Sequence, residues 1–242
     1  MHTWPLKSGL ALYLILMSSL SASEPLVIGG YHYPPFMEAQ SSQGIYVALS
    51  KAISKESQLT FDWKFYPYAR VDNLFTSGKI HIELGSSPVW STNKPLPGLF
   101  SETFYQLEDV AVYNKSLPRR ARNTQDISGL RIGMVRGYSF PQFAEVFEQK
   151  LAQRIDANNE VQLLKLLIRN RVDQVFMSKL VFLYLQKQHA EFSDMTYKDV
   201  VGSYPLAIRV HPEKAHIMPK LNKAISVLKS KNQIQKIFNQ HP

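Results

Sequence analysis

Between Leu26 and Pro88 the chain alternates short apolar runs with stretches of helical periodicity, and this alternation limits the fold more than any other feature. Leu26 to Ile28 reads as a strand. Ile45, Leu49, Ala52 and Ile53 then fall at helical spacing. Leu59 to Phe65 alternates apolar with polar residues, as a half-buried strand does. Val71, Leu74 and Phe75 mark the inward face of a second helix that Gly78 stops. Ile80, Ile82 and Leu84 read as a third strand, running out at Gly85-Ser86-Ser87. A β–α–β–α–β order predicts a parallel sheet with right-handed crossovers. Ligand sites in such sheets lie at the carboxyl ends of the strands, here Gly30–Tyr33, Tyr66–Arg70 and Gly85–Trp90.

The first of these ends is stiff. Gly29-Gly30 is followed by Tyr31-His-Tyr-Pro-Pro-Phe36, where two prolines fix φ and hold Tyr33 extended. Two readings stay open: an aromatic wall that stacks a small molecule, or a surface turn with Phe36 tucked into the core.

The second half repeats the theme. Strands are predicted at Asp109–Tyr113, Arg131–Val135, Val172–Met177 and Ser203–Val210. One predicted helix carries Phe140, Ala144, Phe147 and Leu151 on one face. A second, N-capped by Asn159, points Val161, Leu164 and Ile168 inward. A third is capped by Ser178 and runs to about Gln188. The tail holds a helix with Leu221, Ala224, Ile225 and Leu228 on one side, then a short one with Ile234, Ile237 and Phe238. The last strand and tail have no sheet of their own, so they are expected to return to the first. The predicted class is α/β: residues 24–110 and 205–242 form lobe 1, and residues 111–204 form lobe 2. Two crossing strands join them across a cleft.

The first 23 residues differ from the rest. Lys7 is their only formal charge, Gly9 to Leu20 is almost continuously apolar, and Ser21-Ala22-Ser23 suits cleavage, so a secretory signal peptide is expected. No other apolar run approaches the roughly 20 residues that span a bilayer. The chain has no cysteine. Export without disulfides points to the periplasm of a Gram-negative bacterium. The formal net charge is +9, unevenly spread: residues 24–111 carry −3, residues 112–204 +5 and residues 205–242 +6. Such a balance raises nucleic acid as a partner, but no binding motif supports it and export opposes it. Lysines on solvated faces, or facing an acidic membrane partner, account for the excess.

The order of short motifs resembles the periplasmic solute-binding proteins of the amino-acid type (family 3), whose members feed ABC importers. The likeness rests on the Tyr33-x-Pro35-Phe36 element, Gly44 before the first long helix and the step from Leu74 to Ile80. It continues through SGLRIGMVRGYS from Ser128 to Ser139 and NRVDQVF from Asn170 to Phe176. It implies a two-lobe periplasmic-binding-protein fold of type II, each lobe a mixed, mostly parallel sheet flanked by helices. It also implies closure over a ligand that bridges the lobes.

The resemblance places a ligand against Tyr33, Phe36 and Tyr68, the strand end Ser86 and Ser87, and Gly137, Tyr138 and Ser139 at a helix start. Ser178, Trp90, Arg70 and Arg136 complete the expected set. The departures shape the ligand. The carboxylate-clamping arginine should fall near Asn93, where Lys94 is the nearest cation. The acids expected around an α-ammonium are replaced by Gly30 and Ser178, and the aspartate of the third strand reads His81. An unpaired ammonium or carboxylate in a dry cleft costs several kcal/mol. A standard α-amino acid is therefore disfavoured, and a small polar or anionic solute with an apolar or aromatic body is expected, with Arg70 and Arg136 as the cations.

Glu83 and His81 share a strand face and are expected to be partly exposed or hydrogen-bonded structure. His211 and His216 flank Pro212 without a third ligand, so no metal is expected. No cysteine nucleophile, Gly-x-Ser-x-Gly elbow, His-Glu-x-x-His or phosphate-binding glycine loop is present, and no cofactor is implied. The expected function is solute binding, by a monomer, for uptake through an inner-membrane ABC permease. A sensor subunit that signals to a membrane receptor kinase is the alternative. An enzyme resembling cyclohexadienyl dehydratase, with Glu83 as its acid, is a third.

Overall fold

The computed structural model describes residues 24–90, 97–116, 127–138 and 140–240. The expected leader, residues 1–23, lies outside them, as do Ser139 and the Asn93–Lys94 position. The first unit contains β1 (Leu26–Gly30), α1 (Ile45–Ser57), β2 (Phe61–Phe65), α2 (Tyr68–Thr76) and β3 (Ile82–Ser86). A two-residue strand, β4 (Leu99–Phe100), precedes β5 (Tyr105–Asn114). The second unit follows with β6 (Arg131–Val135), α3 (Ala144–Glu148), β7 (Gln153–Ala157), α4 (Glu160–Ile168), β8 (Gln174–Ser178) and α5 (Lys179–Gln188). The chain ends with β9 (Met195–Val210), α6 (Met218–Ser230) and α7 (Gln233–Asn239).

Among the described residues the strands form a sheet in the order β2–β1–β3–β9–β5–β8–β6–β7, with β4 also on β9. The two units mirror each other. β2 and β3 flank β1 in parallel, and β7 and β8 flank β6 in parallel. β5 and β9 run antiparallel between them, from Tyr105 opposite Leu206 to Asn114 opposite Met195. The far end of β9 continues into the first unit, Ile82 pairing with Val210. The two crossing strands are thus present, and α6 and α7 pack back on α1.

Several local expectations change. β9 starts at Met195, not Ser203, because the polar, half-exposed residues Thr196 to Asp199 hide a strand that backbone pairing with β5 defines. β7 was not expected: on the sheet edge its Gln153, Arg154 and Asp156 face solvent, and only Ile155 and Ala157 turn inward. The helix expected through Leu151 is a single short α3. Pro141 opens a tight turn before it, Phe140 and Phe143 supply the buried rings, and Leu151 is exposed. In α4 the buried face is Leu163, Leu164 and Leu167, while Ile168 is exposed. Asn159 caps α4 as expected, accepting the Gln162 N–H at 2.9 Å. Ser178 precedes α5 but makes no side-chain cap bond.

Two polar features of lobe 1 are structural. The His81 Nδ1 accepts the Val27 N–H at 3.0 Å, replacing a backbone rung between β1 and β3. Burial, then Lys214 and His211, push its pKa down. Arg209 is almost fully buried under α2. It donates to Glu83, Asp72 and the Pro97 carbonyl, with its guanidinium 3.9 Å from the Phe75 ring centre. Gly85 at the end of β3 has φ +75°, and a Cβ there would lie 2.1 Å from the Tyr46 ring, so only glycine fits.

Candidate functional site: an inter-lobe tyrosine cluster

The stiff corner after β1 builds a stack of rings. Tyr31 lies over Tyr33 with centroids 5.8 Å apart, Tyr33 over Phe36 at 5.2 Å and Phe36 over Tyr46 at 4.9 Å, all within 28° of parallel. Tyr68, on the first turn of α2, meets Tyr31 edge-on at 4.8 Å. Phe36 is fully buried and supports the stack from the core, as one of the two readings of this corner has it. Tyr33 has a ring on either face, and the position that meets Tyr68 is Tyr31. Tyr68 itself is 70% exposed and, with Tyr31, Phe65 and Tyr66, walls an open recess of about 330 Å³.

From lobe 2, the turn after β6 delivers Tyr138. Gly137, with φ +88° and open space beside its Cα, allows that turn. The Tyr138 hydroxyl donates to Glu160 Oε1 at 2.7 Å, and Tyr33 is near enough that Tyr138 and Glu160 help to raise its pKa. Glu160 opens α4, where the helix dipole favours a carboxylate. Tyr33 of the first unit thus lies near the Tyr138–Glu160 pair of the second. Burial is the largest cause that raises the pKa of Tyr31, Tyr33 and Tyr138, and Glu160 adds to it, so all three hydroxyls remain protonated donors. A second contact between lobes runs from the Tyr184 hydroxyl to Glu38 at 3.4 Å.

The other expected residues distribute unevenly. Ser86 is buried, and Ser87 is fully buried with its Oγ unpartnered. Trp90 is partly exposed and edge-on to Tyr204 at 6.2 Å. Ser178 is buried, its Oγ also unpartnered. Arg70 is exposed. Arg136 is exposed and lines a second recess of about 400 Å³ together with Asp156, Lys165 and Arg169. Glu83, the acid that an enzymatic reading needs, is held by Arg209 at 2.8 Å, although its burial raises its pKa. Among the described residues no group of three or more His, Asp or Glu could hold a metal ion. No described helix is long and apolar enough to cross a membrane.

Four functional candidates escaped the sequence reading: Tyr31, Glu160, Asp109 and Tyr204. Asp109 carried a signal, since it opens the apolar run Val110 to Val112.

No family model matches the sequence, and no curated protein matches it. Solved structures do. A histidine kinase sensor domain with similarity to periplasmic binding proteins covers 90% of this chain and 96% of its own, at 17% identity and TM-score 0.74. The GluR0 ligand-binding core in complex with L-glutamate covers 91% and 99%, at 14% identity and TM-score 0.76. An ancestral arginine-binding protein bound to arginine covers 90% and 97%, at 21% identity and TM-score 0.69. At these identities the likeness speaks to architecture. The chain has the two-lobe periplasmic-binding-protein fold, with mostly parallel sheets, flanking helices and two crossing strands.

Proposed function

We propose that the protein is a non-catalytic periplasmic solute-binding protein whose lobes, residues 24–110 with 205–242 and residues 111–204, close over a small polar solute. The observation that carries this reading is the cluster of tyrosines from both lobes, Tyr31 and Tyr33 near Tyr138 with its Glu160 partner, since hydroxyls gathered at such a seam can meet a guest between them. Protonated tyrosines donate hydrogen bonds, which suits an acceptor-rich solute, and their rings supply apolar contact. Residues 1–23 fit a cleaved leader, and delivery to an ABC permease is the role that this fold commonly serves. A second reading, a sensor that presents its closed form to a membrane kinase, is favoured by the histidine kinase sensor domain among the similar structures.

The test is native mass spectrometry of purified protein for a co-purified small molecule, followed by a thermal-shift screen of solutes with small-angle scattering on hits. The expected result is a solute that raises Tm and changes the radius of gyration in wild type, with at least a tenfold weaker Kd in Tyr138→Phe. Finding no solute that alters stability or shape would sink the reading.

A further inference from the structure

The two crossing strands bring together a polar group that the tyrosine cluster does not use. Asp109 on β5 stands directly opposite Ser178 on β8 and opposite Gly202 on β9. Cross-strand partners in an antiparallel pair project their side chains to the same face, so Asp109 and Ser178 are neighbours. The Tyr204 hydroxyl reaches the same place: a Cβ on Gly202 would lie 2.4 Å from that oxygen, so the glycine is what leaves it room.

Among the described residues neither hydroxyl has a hydrogen-bond partner, and Asp109 beside them is partly buried. Ser178 is 4% exposed and its Oγ has no hydrogen-bond partner. Tyr204 is 8% exposed, and its hydroxyl approaches the Gln142 amide without closing a well-formed bond. Among the described residues no ion pair involves Asp109, and Lys179 at the start of α5 is engaged by Glu108 at 3.0 Å. Buried polar atoms of folded proteins are nearly all satisfied, so two orphan hydroxyls beside an unpaired carboxyl ask for an explanation. A guest is one. The carboxylate and the two hydroxyl oxygens offer three acceptors on one face, as many as an alkylammonium has N–H bonds. Trp90, edge-on to Tyr204 and partly exposed, adds an aromatic wall of a kind that favours cations.

We propose that Asp109, Ser178 and Tyr204 form a subsite for a protonated amine on the solute, built on the crossing strands. The proposal rests on the solute-binding reading above and adds the charge of the guest. Burial alone lifts the Asp109 pKa to about 7, which is the state of a carboxyl that lacks its cation. The subsite also alters the expectation from Ser178: the acid missing there stands one strand away, at Asp109.

The experiment uses the full mature chain and a panel of primary amines, from ethanolamine and short diamines to the free amino acids, each beside its deaminated counterpart. Thermal shift and calorimetry at pH 8 are run on wild type, Asp109→Asn, Ser178→Ala and Tyr138→Phe, with the urea stability of each variant measured first. Expected is an amine that stabilises wild type while its deaminated counterpart does not, with at least tenfold weaker Kd in Asp109→Asn. Ser178→Ala should show a smaller loss and serves as the second variant if Asp109→Asn does not fold. In carboxyl-carbon NMR the Asp109 titration midpoint should fall by about one pH unit or more when the amine is bound. Solutes that bind wild type and Asp109→Asn equally but weaken in Tyr138→Phe would overturn the subsite and leave the solute-binding reading standing. A panel in which only neutral or anionic solutes bind overturns it too, and binding by nothing overturns both.

Discussion

Arg209 on β9 and Glu83 on β3 stand in register across an antiparallel pair, the guanidinium Nη1 2.8 Å from the carboxylate. Arg209 is 2% exposed, so the pair sits where desolvation is costly and an abandoned partner costs most. Glu83→Ala should lower unfolding free energy by about 3 kcal/mol, whereas Glu83→Met with Arg209→Met should recover much of the loss. Asp72, the other carboxylate on Arg209, has a side chain 63% exposed, and Asp72→Asn should change stability by less than about 1 kcal/mol. Urea denaturation of the four proteins checks this; equal losses for Asp72→Asn and Glu83→Ala would contradict it.

Asp109 makes stability depend on pH in an unusual direction. Its folded pKa is raised, so between the ordinary aspartate value of 3.8 and about 7 the folded chain holds the proton that the unfolded chain releases. The stabilising contribution is complete below that window and is lost as pH rises through it. The charged or titratable groups around it are Tyr204 on β9, raised to about 12, and the Glu108–Lys179 pair on β5 and α5. Between pH 5 and pH 8 wild type should lose on the order of 2 kcal/mol relative to Asp109→Asn. Urea midpoints at the two pH values decide it; a constant gap would show that Asp109 titrates normally.

His81 acts in the opposite sense. Its imidazole must be neutral to accept the Val27 N–H, and its folded pKa is lowered. That contribution is present above the ordinary histidine pKa and is lost as pH falls below it. His81→Ala, which leaves the Val27 N–H without that partner, should cost about 1–3 kcal/mol at pH 8 and less at pH 5. Chemical denaturation at both pH values is the check.

Gly85 offers a steric test. Alanine there meets the Tyr46 ring and must hold φ near +75°, so Gly85→Ala should destabilise by more than about 2 kcal/mol. Tyr46→Ala in the same chain should restore little, because the backbone strain remains. Full rescue by Tyr46→Ala would mean that the clash alone was at fault.

The fold was readable because its information is one-dimensional. The strands of the first unit are short apolar runs between helices with clear inward faces, and the tail could only return to a sheet that already existed. The misses share a different physics. β7 is an exposed edge strand, and the first half of β9 carries Thr196, Lys198 and Asp199, so hydrogen bonding and not hydrophobic alternation makes them strands. The site was less legible for a related reason. Tyr33 and Tyr138 were visible at their strand ends, but Tyr31 took the place beside Tyr68, and Phe36 went into the core. Asp109 becomes informative only when β8 and β9 bring Ser178 and Tyr204 beside it, which needs a sheet order that sequence spacing does not encode.

β9 is a single 16-residue strand shared by both halves, and it comes late in the chain. The first half cannot complete its hydrogen-bonded framework until residues near 210 have left the ribosome, and the second waits for the strand's beginning at Met195. Such long-range closure slows folding and leaves an unfinished polypeptide open until the last strand locks both halves together.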